Sequence, residues 1–250
     1  MRPVLCVIIL VGLCGAGPVA FTQIPEISTD RPDITESAAL VPAGLWQLES
    51  GLMRERISEE SGELRRLAVV EVLARVGVSD LIEARLGAGY VHQRASAGDA
   101  LSADRGLAGI MTGAKLRLAE GAALLAHLHI PVGHQNLRVP EVAPELVLAG
   151  EMPLSERFEL SGNAGGIWLS DEAAVFASTA LGFDVTDRLG VFIEGYCAGA
   201  MDAQPLYQAE TGLTYLPASS LQLDCTGGVT LFDSDPGWFL GLGLSVRFPR

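Results

Sequence analysis

Acidic and basic side chains recur through this chain at two-residue spacing, out of step with the apolar residues around them. Glu49, Glu71, Arg75, Glu83, Arg85, Lys115, Arg117, His127, His129, Glu145, Glu159, Glu194, Glu210, Asp224 and Arg247 all follow this rule. Charges gathered on one face can pair across neighbouring strands, as Glu71 and Arg75 would with Glu83 and Arg85, and so brace a wall. They can also line an aqueous path that favours cations or polar solutes. Catalysis needs more. His127 and His129, with His134 just beyond, could hold a metal if a carboxylate joined them, but such histidines more often hydrogen-bond to water or to acids. A lipid hydrolase needs Ser, His and an acid together. His92 has no evident serine partner, and no Gly-x-Ser-x-Gly elbow occurs. The residues therefore predict no catalytic centre, no metal and no cofactor.

A face of charges requires elements that present every second residue to the same side, which is strand geometry. From Gly44 to Phe248 the alternation is nearly continuous. Trp46, Leu48 and Leu52 oppose Gln47, Glu49 and Met53; Ile82, Leu86 and Tyr90 oppose Glu83 and Arg85; Leu240, Leu242, Leu244 and Val246 oppose Ser245 and Arg247. Turn signals divide this body into about twelve strands. Residues 63–76 would also suit a helix by composition, but their alternation runs in step with the next strand and predicts a strand. Long polar connections are expected around Ser58–Gly62, Ser96–Asp104, Gly133–Glu141, Gly199–Pro205 and Asp233–Gly237. Tight turns are expected at Ser79-Asp80, Glu120-Gly121, Ser155-Glu156, Thr186-Asp187 and Ala218-Ser219. Cys197 and Cys225 fall on the apolar face with one strand between them. Two strand spacings, about 9.6 Å, exceed the roughly 7 Å a disulfide spans, so no bond is expected.

One apolar and one polar face throughout fits either a soluble sandwich or an outer-membrane barrel. Long strands, alternating long and short connections, and aromatics near strand ends (Trp46, Tyr90, Trp168, Tyr207, Tyr215, Trp238, Phe248) favour the barrel. In it the charges face the lumen, because Arg or Lys facing lipid near the midplane would cost about 2–4 kcal/mol. The chain has 49% hydrophobic residues and 29 Gly, suited to many strands. After the leader, no uninterrupted apolar run reaches the roughly 18 residues of a membrane helix. Net charge is −13 with no basic tract, which argues against nucleic acid as a partner. Residues 1–20 read as a secretory signal peptide: Arg2, an apolar run Val4–Leu13, and Ala20 at a cleavage end.

The exception to the alternation is Ile27–Ser37, a polar stretch with Pro32 between charges. Thr29-Asp-Arg-Pro-Asp-Ile-Thr-Glu-Ser37, then Val41-Pro-Ala-Gly44 and Trp46-Gln-Leu-Glu-Ser-Gly51, resembles the start of the outer-membrane transporters of the phenol-degradation (meta-pathway) β-barrel family. The resemblance is sharp over residues 28–53 and diffuse to Phe248. It implies a signal-bearing outer-membrane barrel with a transport role. The chain departs from barrel habit by placing Pro249-Arg250 after Phe248.

The expected layout is a signal peptide (1–20), a polar segment that is periplasmic or enters the lumen (21–43), and an all-β, antiparallel transmembrane barrel (44–248). The expected function is a porin-like passive channel for small, aromatic or hydrophobic solutes in a Gram-negative outer membrane. Its partners would be outer-membrane lipid and the barrel-assembly machinery. The alternatives are a non-conducting structural or adhesive barrel and, behind it, a lipid-modifying barrel enzyme. Asp30, Arg31, Pro32, Asp33 and Glu36 are the candidates for a plug or latch against the charged lumen.

Overall fold

The computed structural model describes residues 26–58, 64–97, 100–200, 204–232 and 236–249. Among these residues, twelve antiparallel strands are joined in sequence order, and β1 pairs with β12 to close the barrel. They are β1 (Leu45–Ser58), β2 (Leu64–Gly77), β3 (Ile82–Ala97), β4 (Ala100–Ala119), β5 (Ala122–Ile130) and β6 (Ala143–Pro153), followed by β7 (Phe158–Trp168), β8 (Ala173–Thr186), β9 (Leu189–Ala200), β10 (Leu206–Ala218), β11 (Leu221–Leu231) and β12 (Trp238–Pro249). Closure leaves no unpaired edge, which a membrane demands because lipid cannot hydrogen-bond a free backbone group. No helix among the described residues is long and apolar enough to cross a membrane; the crossing is made by strands.

Alternation sets the two surfaces. Leu48, Leu52, Leu86, Leu148, Ile193, Leu240 and Leu242 are exposed on the outer wall, while Gln47, Glu49, Arg75, Glu83, Lys115, Ser245 and Arg247 are buried inside. Burial is inverted relative to a soluble fold, as the lipid-facing reading requires. Trp46, Tyr90, Trp168, Tyr207, Tyr215 and Phe248 also face outward. The Leu64–Gly77 segment is a strand, paired along its whole length with β1 and β3. Its helical propensity loses to two flanking ladders. Cys197 on β9 and Cys225 on β11 are free thiols, with β10 between them.

One connection differs from expectation. Ser96–Asp104 reads as a long polar loop, yet β3 runs to Ala97 and β4 starts at Ala100, with Ser96 opposite Leu101 and Gln93 opposite Asp104. A hairpin above the membrane need not alternate apolar residues, so polarity there hides the strand. The connection between β5 and β6 does span residues 131–142. Those after β1, β9 and β11 lie partly outside the described residues, and the predicted signal peptide lies wholly outside them. The connections β2–β3, β4–β5, β6–β7, β8–β9 and β10–β11 are all short and lie at one end, here the short-turn end, which in outer-membrane barrels is periplasmic; at the other end β3–β4 and β7–β8 are also short. β12 continues through Pro249, which pairs with Leu45, so the residue after Phe248 is part of the wall.

Candidate functional site: the lumen and its N-terminal segment

Residues 26–43 do not trail away from the barrel; they run inside it. The segment enters at the short-turn end, where the Ile27 amide donates to Ser219 O at 2.7 Å and Arg247 donates to Glu26 O at 2.8 Å. Gln47 Nε2 then donates to Ser28 O at 2.7 Å, and Gln222 Nε2 to Thr29 Oγ1 at 2.9 Å. From there it follows the wall. The Ile34 amide and the Thr35 hydroxyl donate to Glu194 at 2.9 and 2.6 Å, and the Glu36 amide donates to Asn163 at 2.6 Å. The Ala38 amide donates to Glu151 at 2.9 Å and the Val41 amide to Glu83 at 2.8 Å. The contacts thus pass from β11 through β9, β7 and β6 to β3. Backbone groups with no strand partner of their own are satisfied by wall side chains, which answers the cost of placing irregular chain at membrane depth.

Asp30 is the centre of the docked segment. It is 8% exposed and accepts from Lys115 Nζ at 2.8 Å and Arg85 Nη1 at 2.8 Å, with Arg75 Nη1 at 3.1 Å. Arg75 also bonds Glu49 and Glu83, each at 2.8 Å, and Arg85 reaches Glu36 at 2.6 Å. Burial alone would raise the Asp30 carboxyl, but Arg75, Lys115 and Arg85 outweigh it and hold Asp30 well below the ordinary carboxylate range. Arg31 lies across the lumen against Asp224 at 3.3 Å. Room for its guanidinium comes from Gly51 and Gly243: a Cβ on either would sit within 2.5 Å of Arg31 atoms. Beyond Asp33, an apolar contact finishes the docking. Ala38 and Leu40 pack into Ala123, Leu125, Val147 and Ala149 of β5 and β6.

Asp33 has the opposite surroundings. It stands over the β9–β11 wall, where Glu194 and Glu210 are directly opposed in register and Asp224 follows. Burial pushes its carboxyl well above the ordinary range, and Glu194, Asp30 and Asp224 push it further. With Asp30, Arg31, Pro32, Ile34 and Glu36, Asp33 floors a cavity of about 590 Å³ in the half of the lumen nearer the long connections. Its wall is mostly apolar, including Met53, Val69, Leu73, Val91, Met111, Ile130 and Phe239.

The fifteen predicted lumen residues thus have distinct places. Glu49, Arg75, Glu83, Arg85, Lys115, Glu194, Asp224 and Arg247 touch the segment or its immediate partners. Glu71 and Glu210 line the cavity, and Glu71 does not join the Arg75–Glu83 pair. His127 and His129 share Glu145 Oε2 at 2.8 and 3.1 Å. Among the described residues, no group of three or more His, Cys, Asp or Glu could hold a metal ion. Arg117 and Glu159 are exposed, near the short-turn ends of β4 and β7. Sequence reading did not single out Gln47, Glu151, Asn163, Ser178 or Gln222 as sites, though each sits on the charged parity. The Leu125–Val147 patch carries no such signal, because Ala123, Leu125, Val147 and Ala149 are apolar residues on the parity that elsewhere carries charge.

A closed twelve-stranded barrel, with lipid-facing leucines and an internal polar segment, defines an outer-membrane β-barrel. Residues 29–248 match the family described as "Putative MetA-pathway of phenol degradation", and the chain belongs to that family. Among solved structures, the fold is similar to the COG4313 outer membrane channel from Pseudomonas putida F1 (TM-score 0.67, 15% identity, 92% of this chain and 100% of that one). It is also similar to the translocator domain of the autotransporter NalP from Neisseria meningitidis (0.59, 11%, 82% and 89%) and to the CymD monoaromatic hydrocarbon channel (0.50, 10%, 84% and 89%). No curated protein sequence matches the chain.

Proposed function

We propose that this protein is a passive, non-enzymatic channel for small, largely apolar solutes, delivered to a Gram-negative outer membrane by the 1–20 signal and closed from the periplasmic side by residues 26–43. The observation that carries this is the segment's mode of attachment. It is held inside the lumen by side-chain bonds and one apolar patch rather than by strand pairing, so it can leave without breaking the barrel. Twelve strands lie between the eight that side chains fill and the sixteen that leave a water-filled pore, so a segment of this size decides whether the lumen is open. The apolar cavity above it gives an entering solute a place to rest, and the named likeness to a monoaromatic hydrocarbon channel supports such a solute class.

Planar-bilayer recording of the refolded protein tests the reading. The full mature chain should conduct weakly and in bursts, and deletion of residues 21–43 should raise the conductance severalfold. No conductance from either would sink the channel and leave a structural or adhesive barrel.

A further inference from the structure

The floor and walls of the lumen cavity carry more acid than base once existing pairs are set aside. Arg31 is bonded to Asp224, Arg85 to Asp30 and Glu36, and His129 to Glu145. Among the described residues, no cation pairs with Asp33, Glu55, Glu71 or Glu210, and all four line the cavity. Glu210 is the most telling. It is 6% exposed, no basic group reaches either carboxylate oxygen among the described residues, and its neighbours are a second acid, Glu194, and the Ile34 backbone. Two buried acids in contact cannot both carry charge without a counter-ion, so the pair holds either a shared proton or a cation. Glu194, its register partner, is already occupied by Ile34 and Thr35 of the plug and adds a second negative group.

Between the acids lies an aromatic face. One row of inward residues runs Glu55 on β1, Phe239 on β12, Gly228 on β11 and Glu210 on β10, each opposite the next in register. Gly228 makes this possible: a Cβ there would meet the Phe239 ring at 2.4 Å and Glu210 at 2.8 Å. The ring therefore lies over Gly228, towards Glu210, with Glu55 on its other side. Met53, Val69 and Val91 continue the apolar surface along the cavity.

Resting on the channel reading above, we propose that this cavity is a binding site for an organic ammonium with an apolar body, its head between Glu210 and Asp33 and its body along Phe239, Met53, Val69 and Val91. An ammonium takes the place of the shared proton in this acid group, leaving both carboxylates charged and paired, and is attracted to an aromatic face; the apolar body gains from the rest of the wall. A neutral molecule of the same shape gains only the second term, and an anion faces like charge.

Three probes of matched size separate these cases: phenethylammonium, 2-phenylethanol and 3-phenylpropionate. Their binding to the full-length refolded protein in detergent at pH 7 can be followed by calorimetry, which does not depend on conductance. Phenethylammonium should bind about tenfold or more tighter than 2-phenylethanol, given one charge-assisted contact and one aromatic face. Phenylpropionate should bind weakest. Glu210→Gln should reduce the ammonium preference several-fold while leaving 2-phenylethanol unchanged, and Asp33→Asn, which lies outside the barrel wall, should do the same if Glu210→Gln fails to fold. Equal binding of the three probes, tightest binding of the anion, or an ammonium preference untouched in the folded variants would overturn the proposal. A barrel that binds the ammonium but never conducts would keep this site and discard the channel.

Discussion

Asp30 and Asp33 are three residues apart in one segment, carry the same side chain, and meet opposite walls. Asp30 faces β2, β3 and β4, which supply Arg75, Arg85 and Lys115. Asp33 faces β9 to β11, which supply Glu194, Glu210 and Asp224. The first is a satisfied anion in a cationic cradle; the second is an acid among acids. The difference implies that Asp30 supports docking on its side, while on the other Asp33 opposes it and the Arg31–Asp224 pair and the Ile34 and Thr35 bonds to Glu194 must offset that. If it moves, the Asp33 side should swing out first, with Asp30 and the Leu40 patch as the hinge.

Breaking the cradle should have the largest effect. Asp30→Ala leaves Arg75, Arg85 and Lys115 together in the lumen with one acid fewer. Removing one partner of a buried ion network costs about 3–5 kcal/mol. That is a hundredfold or more in the docked population, since each 1.4 kcal/mol is about tenfold. Single-channel recordings should show long-lived open states, and cells should become sensitive to bulky antibiotics. Permeability equal to wild type would mean the segment does not gate the lumen.

The apolar side of the anchor comes next. Leu40 is 6% exposed within the Ala38–Leu125–Val147 cluster. Leu40→Ala should cost about 2–3 kcal/mol of docking, the low end for a buried leucine because the patch borders the lumen. The open fraction in the same recordings should rise, but less than for Asp30→Ala.

This patch marks the limit of what the sequence makes legible. The strand count, the closed barrel and the lumen-facing charges follow from a two-residue period, which a wall with lipid on one side enforces at every position. Asp30, Arg31 and their neighbours stand out because they break that period. What pairs with what does not follow. Glu71 and Arg75 look equivalent to Glu83 and Arg85 along the chain, yet Arg75 turns to Glu49, Glu83 and Asp30 while Glu71 faces the cavity. Register and the path of a non-strand segment decide this, and neither is written in local spacing. Leu125 and Val147 are harder still, since apolar residues on the polar parity look like noise until Leu40 is placed on them.

Acidity should separate the two aspartates without mutation. Asp30 has a lowered carboxyl in the docked state, so its contribution is present above the ordinary value of 3.8 and is lost as pH falls below it. Asp33 has a raised one, so docking is helped where it is protonated, and that help is lost as pH rises above 3.8 towards its docked value. The plug should therefore hold more tightly as pH falls from 7 towards about 4, then release below that. Asp33→Asn should flatten the upper limb, because the groups facing it (Glu194, Glu210 and Asp224) no longer oppose a charge. A release that only increases from neutral to acid would mean that Asp30 alone governs docking.

The smallest effect tests whether the lumen face acts as a whole. Arg117 and Glu159 share the inward parity with Lys115 and Asn163, but each stands exposed near the short-turn rim. Exposed charges contribute about 0–1 kcal/mol to any pair they make. Arg117→Gln and Glu159→Gln should therefore leave conductance, open fraction and pH response within error of wild type. A change as large as that of Leu40→Ala would mean that rim charge steers solutes or the plug over a distance, and the contrast between the walls facing Asp30 and Asp33 would then be one part of a lumen-wide field rather than its cause.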